Sequence, residues 1–347
     1  PTPTVIDEPA PGADVPPAAL PLPLADQPVV DPGWDQVPHE VDGFLLGLQY
    51  PAEDGGPVRF VAARDDGTVL WHAERPPTCT GFALTRAGED VIAVLTDVAP
   101  GEEDLTATTA SGYDIATGEL RWGPVPVPGP HQGPGAVFAA PAPGAAMGET
   151  GPRVALDPAT GEVSVEESDA LAVVGEYAGV VLTTEGGALS ASGTADWSTP
   201  LDELDLGSTP QAMPGVTAPV GTTLLAGLGD AHGALVDLAT GEVLAREVTG
   251  AVREPLSGTL VTAGPDGVTG HREDAPWQRE LVAAGNVLVY LRTGEQLRVL
   301  NAVTGEDAVG YESGTTDPAV PVLVTQRGAV VIRHGEVLPL VPGPSMS

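Results

Sequence analysis

The sequence predicts an all-β fold, and three observations carry that prediction. Gly and Pro supply 45 and 37 of the 347 residues, so turns are frequent and long helices have little room. From Phe44 onward, short apolar runs alternate with glycine-marked turns, as in DVIAVLTDV (90–98), GVVLTTEGG (179–187) and PVLVTQRG (321–328), and no helical period persists. One turn also recurs. DIATGEL, around Gly118, returns as LDPATGEV (156–163), VDLATGEV (236–243) and LNAVTGED (300–307).

The recurring turn has a physical reading. Asp114 ends a strand, and its carboxylate can accept backbone N–H groups just ahead of it in an Asx-turn; Asp157, Asp237 and Asn301 stand at the same offset. Gly118, Gly161, Gly241 and Gly305 then supply the positive φ needed to enter the next strand, and Gly193 marks a degenerate copy. The residue after each turn glycine is Glu119, Glu162, Glu242, Glu306 and, beside Gly335, Glu336, which suits a solvent-facing position. Four residues past the glycine stand Trp71, Trp122, Val165, Trp197, Ala245 and Val309, all apolar, and Trp277 takes the same role near the degenerate copy at Gly267. One position buried in every copy is what stacked equivalent sheets require.

The spacing sets the architecture. Successive turn glycines lie 43, 32 and 48 residues apart between Gly118 and Gly241. A repeat of about 40 residues with three or four strands per unit is the period of a β-propeller. The expectation is one propeller of about eight four-stranded antiparallel blades, with seven as the alternative. Ring closure brings Phe44–Tyr50 beside Val320–Leu340, because a closed ring leaves no free edge between first and last repeats. Residues 1–33, dense in proline and acidic, are expected to be a stalk or linker, 34–342 the propeller and 343–347 a tail.

The unit G-x-x-x-D-x-x-T-G-x-x-x-W, best preserved in DIATGELRW, resembles the repeat of the quinoprotein-like, or PQQ-type, β-propellers over roughly residues 44–342. The resemblance implies a fold and, for its dehydrogenases, a site: an adjacent cysteine pair, a tryptophan stacked on the quinone and carboxylates on calcium. Here Cys79 is the only cysteine, and Trp34 is the only tryptophan without a core assignment. A non-catalytic member is therefore expected, with no catalytic or cofactor-binding residue assigned. Non-enzymatic members that it resembles, outer-membrane assembly lipoproteins and sensor domains, hold protein partners on their propeller faces.

Charge and composition narrow the classes. The formal charge is −34, from 48 acidic residues against fourteen arginines and no lysine, so nucleic acid and anionic lipid are excluded as partners. Cys79 can form no intrachain disulfide and reads as a small buried residue. No apolar run reaches about 18 residues, so nothing spans a membrane as a helix. The chain opens at Pro1 without Met, which raises the expectation that a leader or anchor preceded it. The six histidines form no H-x-x-x-H or HExxH pair; GDAHG (229–233) and HRED (271–274) set a histidine beside carboxylates in predicted turns. The acidic clusters GEED (101–104), EESD (166–169) and LDELD (201–205) read as solvated blade edges, with a weak calcium site as the one metal expectation. The segments 124–135 and 141–151 read as irregular loops. Together these readings give an extracytoplasmic module, secreted or at the cell surface, monomeric alone, that binds or scaffolds a protein partner. The alternative is an enzyme (a hydrolase, lyase or degenerate quinoprotein dehydrogenase) with its site at the central channel. A carbohydrate-binding ectodomain fits less well, because few aromatics remain outside the core.

Overall fold

The computed structural model describes residues 2–343, apart from 101–105, 142–149, 207–209, 214–217, 219–220, 228, 255–256, 266, 272–276, 279–282, 286–287 and 294–295. Among the described residues, eight antiparallel sheets follow one another in chain order. The second is the plainest: Phe82–Ala87, Asp90–Pro100, Thr106–Asp114 and Leu120–Pro126 pair side by side as a meander. Three sheets have three strands each, and single bridges extend them: His131 with Phe138 inside the third, Asp307 with Leu300 outside the seventh, and Val30 with Leu340 outside the eighth. The first strands of neighbouring sheets approach one another, so they line the axis. This is a β-propeller.

Strand alternation builds the cores between blades. In Val58–Arg64, Phe60 and Ala62 join the cluster shared with the second blade, while Val61 and Ala63 turn the other way, toward the eighth. A strand buried on both faces must be apolar throughout, which is why these runs look continuous rather than alternating.

Each conserved-looking turn is also a seam between blades. Asp114 Oδ1 accepts the backbone N–H groups of Ala116 and Thr117, both at 3.0 Å, and Gly118 follows at φ +71°. Asp157, Asp237 and Asn301 repeat the pattern, with Gly161, Gly241 and Gly305 at +73°, +75° and +70°. The tryptophan on the outer strand of the preceding blade lies across Gly118, Gly161 and Gly241. Trp71 Nε1 donates to the Ile115 carbonyl at 2.8 Å, Trp122 to Pro158 at 2.7 Å and Trp197 to Leu238 at 2.9 Å, always the residue after the turn Asp. A Cβ on Gly241 would stand 2.6 Å from Trp197 Cε3, and one on Gly118 would stand 3.1 Å from Trp71 Cδ1. The glycine thus serves the backbone angle and the close approach of the ring together. Trp277 occupies the matching ladder position, opposite Gly270, and its side chain lies outside the described residues.

Four expectations change. Gly193 ends its strand, paired with Val180 as Asp114 is with Ile92, so it stands at the aspartate position rather than the turn glycine. Val309 is 77% exposed rather than buried. The reason is that the eighth blade, which would receive it, has no equivalent turn: Gly335 lies one turn earlier, between Val330–Arg333 and Leu340–Val341. Trp34 is buried to 2% in the core between first and last blades, with Nε1 donating to the Val61 carbonyl at 3.1 Å. Part of 124–135 is ordered sheet, since Leu120–Pro126 is an outer strand and His131 edges the third blade.

The largest departure is at the N-terminus. Thr4–Pro9 adds a fifth strand to the first blade, pairing with Thr68–Arg75. The chain then crosses to the eighth blade, where Val30 and Leu340 exchange backbone hydrogen bonds of 2.9 and 2.8 Å. Between these points, Val15, Ala19, Leu20 and Leu24 pack on Ala319, Val330, Ile332 and Val341. Proline removes N–H donors that an outermost strand does not use and opens the two short 3-10 turns Pro17–Ala19 and Leu22–Leu24, so it suits an edge as well as a stalk. At the same closure, Pro342 packs over Gly67 and the Gly343 N–H donates to the Asp65 carbonyl at 2.8 Å, in the place of a tryptophan.

Candidate functional site

In a meander, alternate turns fall at opposite ends of the sheet. The tryptophan seams therefore occupy one face of the ring, while the second-to-third-strand turns and the connections between blades form the other. A cleft of about 220 Å³ lies on that second face at the fifth blade. It joins two sequence clusters: LDELD contributes Leu204 and Asp205, with Leu206 just after it, and GDAHG contributes Asp230 and His232.

Local backbone sets the cleft walls. Leu201–Leu204 forms one helical turn, closed by Asp205 at φ +55°, whose N–H reaches back to the Leu201 and Asp202 carbonyls. Across the cleft, Arg246 Nη2 donates to the Glu203 carbonyl at 2.7 Å, and Glu247 adopts φ +53°. Two acidic residues in the left-handed region on one cleft make it a place of stored backbone strain. Arg246 and Glu247 also border a smaller adjoining hollow of about 80 Å³ that runs to Gly267 and Thr269 of the sixth blade. Asp205, Asp230, His232, Arg246 and Glu247 are all exposed. The arrangement is an open, mainly anionic groove with donors and acceptors for another chain's polar groups.

The other sequence-marked residues lie elsewhere. Glu167 of the EESD cluster accepts the N–H groups of Arg153 and Val173, so it ties two blades together. GEED and residues 272–274 of HRED lie outside the described residues, while His271 Nε2 meets Thr262 Oγ1 at 2.8 Å. Among the described residues no three metal-ligating side chains gather. Cys79 is buried, and burial pushes its thiol pKa up.

Sequence reasoning missed the groups around the axis. Glu176 is buried to 1% and accepts hydrogen bonds from the Thr85 hydroxyl at 2.6 Å, the Gly179 N–H at 2.7 Å and the Ala136 N–H at 2.9 Å, linking the second, third and fourth blades. Its pKa is raised because burial outweighs those three donors. Glu40 and Asp65 are likewise raised by burial, and the Asp42–Arg86 and Asp65–Arg327 ion pairs continue the rim between the eighth, first and second blades. The E-Y-A-G run at Glu176 was the only local signal, and it looks like any turn.

His39 and His131 stand at the opposite, loop-side mouth of the axis. His39 is open to solvent along the axis yet crowded by neighbouring strands; that desolvation, with His131 adding, holds its pKa at about 4. Desolvation also lowers His131. Both prefer the neutral form when folded, so their contribution is complete above the unfolded value of about 6.5 and is lost as pH falls below it. The raised carboxylates act in the opposite sense, so the histidine contribution has to be read as a difference. Between pH 7 and pH 5, wild type is expected to lose stability relative to His39→Phe, which keeps the packing but cannot titrate; parallel thermal melts check this. Equal pH slopes would show that His39 contributes nothing.

No family model matches the chain, and no curated protein matches it. The crystal structure of a eukaryotic initiation factor aligns with 88% of this chain and 91% of its own at 9% identity, with a TM-score of 0.35. A likeness this distant carries no argument about fold or function.

Proposed function

We propose that this protein is a binding or scaffolding propeller of the PQQ-type repeat kind, working outside the cytoplasm in secreted or surface-held form. It takes a protein partner on the loop face, with no nucleic acid and no redox cofactor, and is monomeric alone. The observation that carries this reading is the contrast between the two faces. One face is occupied by seams that hold blades together, while the other offers the groove of Asp205, Asp230, His232 and Glu247 to solvent. A rigid ring that presents variable connections is suited to recognition.

Capture from a surface or secreted fraction by the intact protein tests it. Reversing charge at Asp230 and Glu247 is expected to reduce capture at least about tenfold, whereas Glu162→Lys, on the seam face, leaves it unchanged; each tenfold is about 1.4 kcal/mol. Capture insensitive to the loop-face changes overturns the assignment of this face. The carboxylates also repel one another, so calcium is expected to raise the melting midpoint by a few degrees without a redox cofactor being bound. A stoichiometric PQQ complex in calorimetry would move the protein to the enzyme class.

A further inference from the structure

Away from the groove, the ring closes on a cluster of charge at the seam-face mouth of the axis. His39–Val41 turns into Phe44–Gln49 there through Asp42 and Gly43, and the Asp65 N–H donates to the Gly43 carbonyl at 2.8 Å, so two turns of the first blade stand together. The eighth blade reaches them with Arg327, 285 residues from Asp42 in the chain. Its Nη2 donates to the Asp42 carbonyl at 2.6 Å, and its Nε lies 3.1 Å from Asp65 Oδ2. The second blade adds Arg86, paired with Asp42. The Gly343 N–H, 2.8 Å from the Asp65 carbonyl, ties the end of the eighth blade to the same place.

The charges do not balance. Three carboxylates, Glu40, Asp42 and Asp65, meet two guanidiniums; Arg86 takes Asp42 and Arg327 takes Asp65. Among the described residues Glu40 is left with the Gly43 N–H, 2.8 Å from Oε1, and it is half-buried. Asp66 adds to the acidic side of the cluster, beside Asp65. His39, the residue before Glu40, lies instead on the Phe82 ring, and its pKa of about 4 keeps it neutral at higher pH. A partly buried carboxylate with like charges beside it favours its neutral form. That form keeps one oxygen for the Gly43 N–H and carries the proton on the other.

We propose that this cluster is a proton-operated clasp: Glu40 takes a proton from solvent as the eighth and first blades close on each other and returns it as they part, so closure is firmer in mild acid than at neutral pH. Burial, with Asp42 and Asp65 adding, raises the Glu40 pKa above its ordinary 4.5, against the pull of the Gly43 N–H and Arg327. A raised folded value makes the contribution complete below the unfolded value and loses it as pH climbs through the folded one. Asp65, raised mainly by burial, shifts in the same sense.

Glu40→Gln in the full chain tests the clasp, because the amide keeps an oxygen for the Gly43 N–H and imitates the protonated carboxyl at every pH. From pH 5 to pH 7.5 the melting midpoint of wild type is expected to fall relative to Glu40→Gln by about 2 °C or more. Glu176 and the histidines titrate in both chains and drop out of the difference. Amide hydrogen exchange reads the clasp itself. Protection factors at Asp65 and Gly343, whose N–H groups bond across it, are expected to drop at least about threefold in wild type over this range and to hold in Glu40→Gln. Gly161, at a distant seam, is expected to hold in both. The wild-type protection factors decide alone should Glu40→Gln fail to fold. Parallel pH profiles of the two chains, or wild-type protection at Asp65 and Gly343 that does not fall toward pH 7.5, overturn the proposal.

Discussion

Deletion of residues 2–31 is expected to lower the melting midpoint by 10 °C or more and to make the chain associate. Proline density alone would predict an expendable stalk, but the contacts are those of a closing element. Val15, Leu20 and Leu24 lie at 9%, 2% and 4% exposure, and burying each such side chain is worth about 1.5–3 kcal/mol. Their removal uncovers Val330, Ile332 and Val341 and leaves the outer edges of Thr68–Arg75 and Leu340–Val341 unpaired. Freed edges are templates for pairing with another chain. Thermal melts and light scattering of the truncated and full-length chains check both effects. A truncated chain that melts as wild type and stays monomeric would return the segment to the role of a stalk.

Replacing Gly161 with Val is expected to destabilise the ring by about 2–6 kcal/mol. Roughly 1–3 kcal/mol comes from forcing a β-branched residue to φ +73°, and a further 1–3 from the collision with the Trp122 ring. Gly187→Val separates the two costs. Gly187 has φ +83°, but nothing stands within 4 Å of its missing Cβ, so only the strain applies. Denaturant midpoints of the two variants measure the difference. Equal losses would mean that the Trp122 contact adds nothing to the seam.

Much of this was legible in the sequence because it is local. An Asx-turn with a left-handed glycine is written within six residues, and its four copies, with the glycine-marked copies at Gly67 and Gly193, gave both the blade period and the positions of Trp71, Trp122 and Trp197. What the sequence concealed was the partner of each side chain. Trp122 lies four residues past Gly118, yet it serves Gly161, in the next blade. The exposure of Val309 and the burial of Trp34 depend on which blade comes next, as does the capture of the proline-rich segment by two distant edges. The groove joins two clusters, each of which alone looked like a solvated turn; Arg246 and Glu247 sat in an ordinary outer strand.

The seams described between blades are not uniform around the ring. Trp71, Trp122 and Trp197 cross into blades that keep the D-x-x-T-G turn, whereas Val165 faces the blade with the degenerate Gly193 and Ala245 precedes the one with Gly267. Tryptophan and turn are kept or lost together, though they belong to different repeats. The two features thus pair across the boundary rather than within the blade, and boundaries that carry Val165 or Ala245 in place of a tryptophan lack the indole-to-carbonyl hydrogen bond of the others. The groove beside Arg246 and Glu247 opens onto the joint between the fifth and sixth blades, where Ala245 stands in the tryptophan's position.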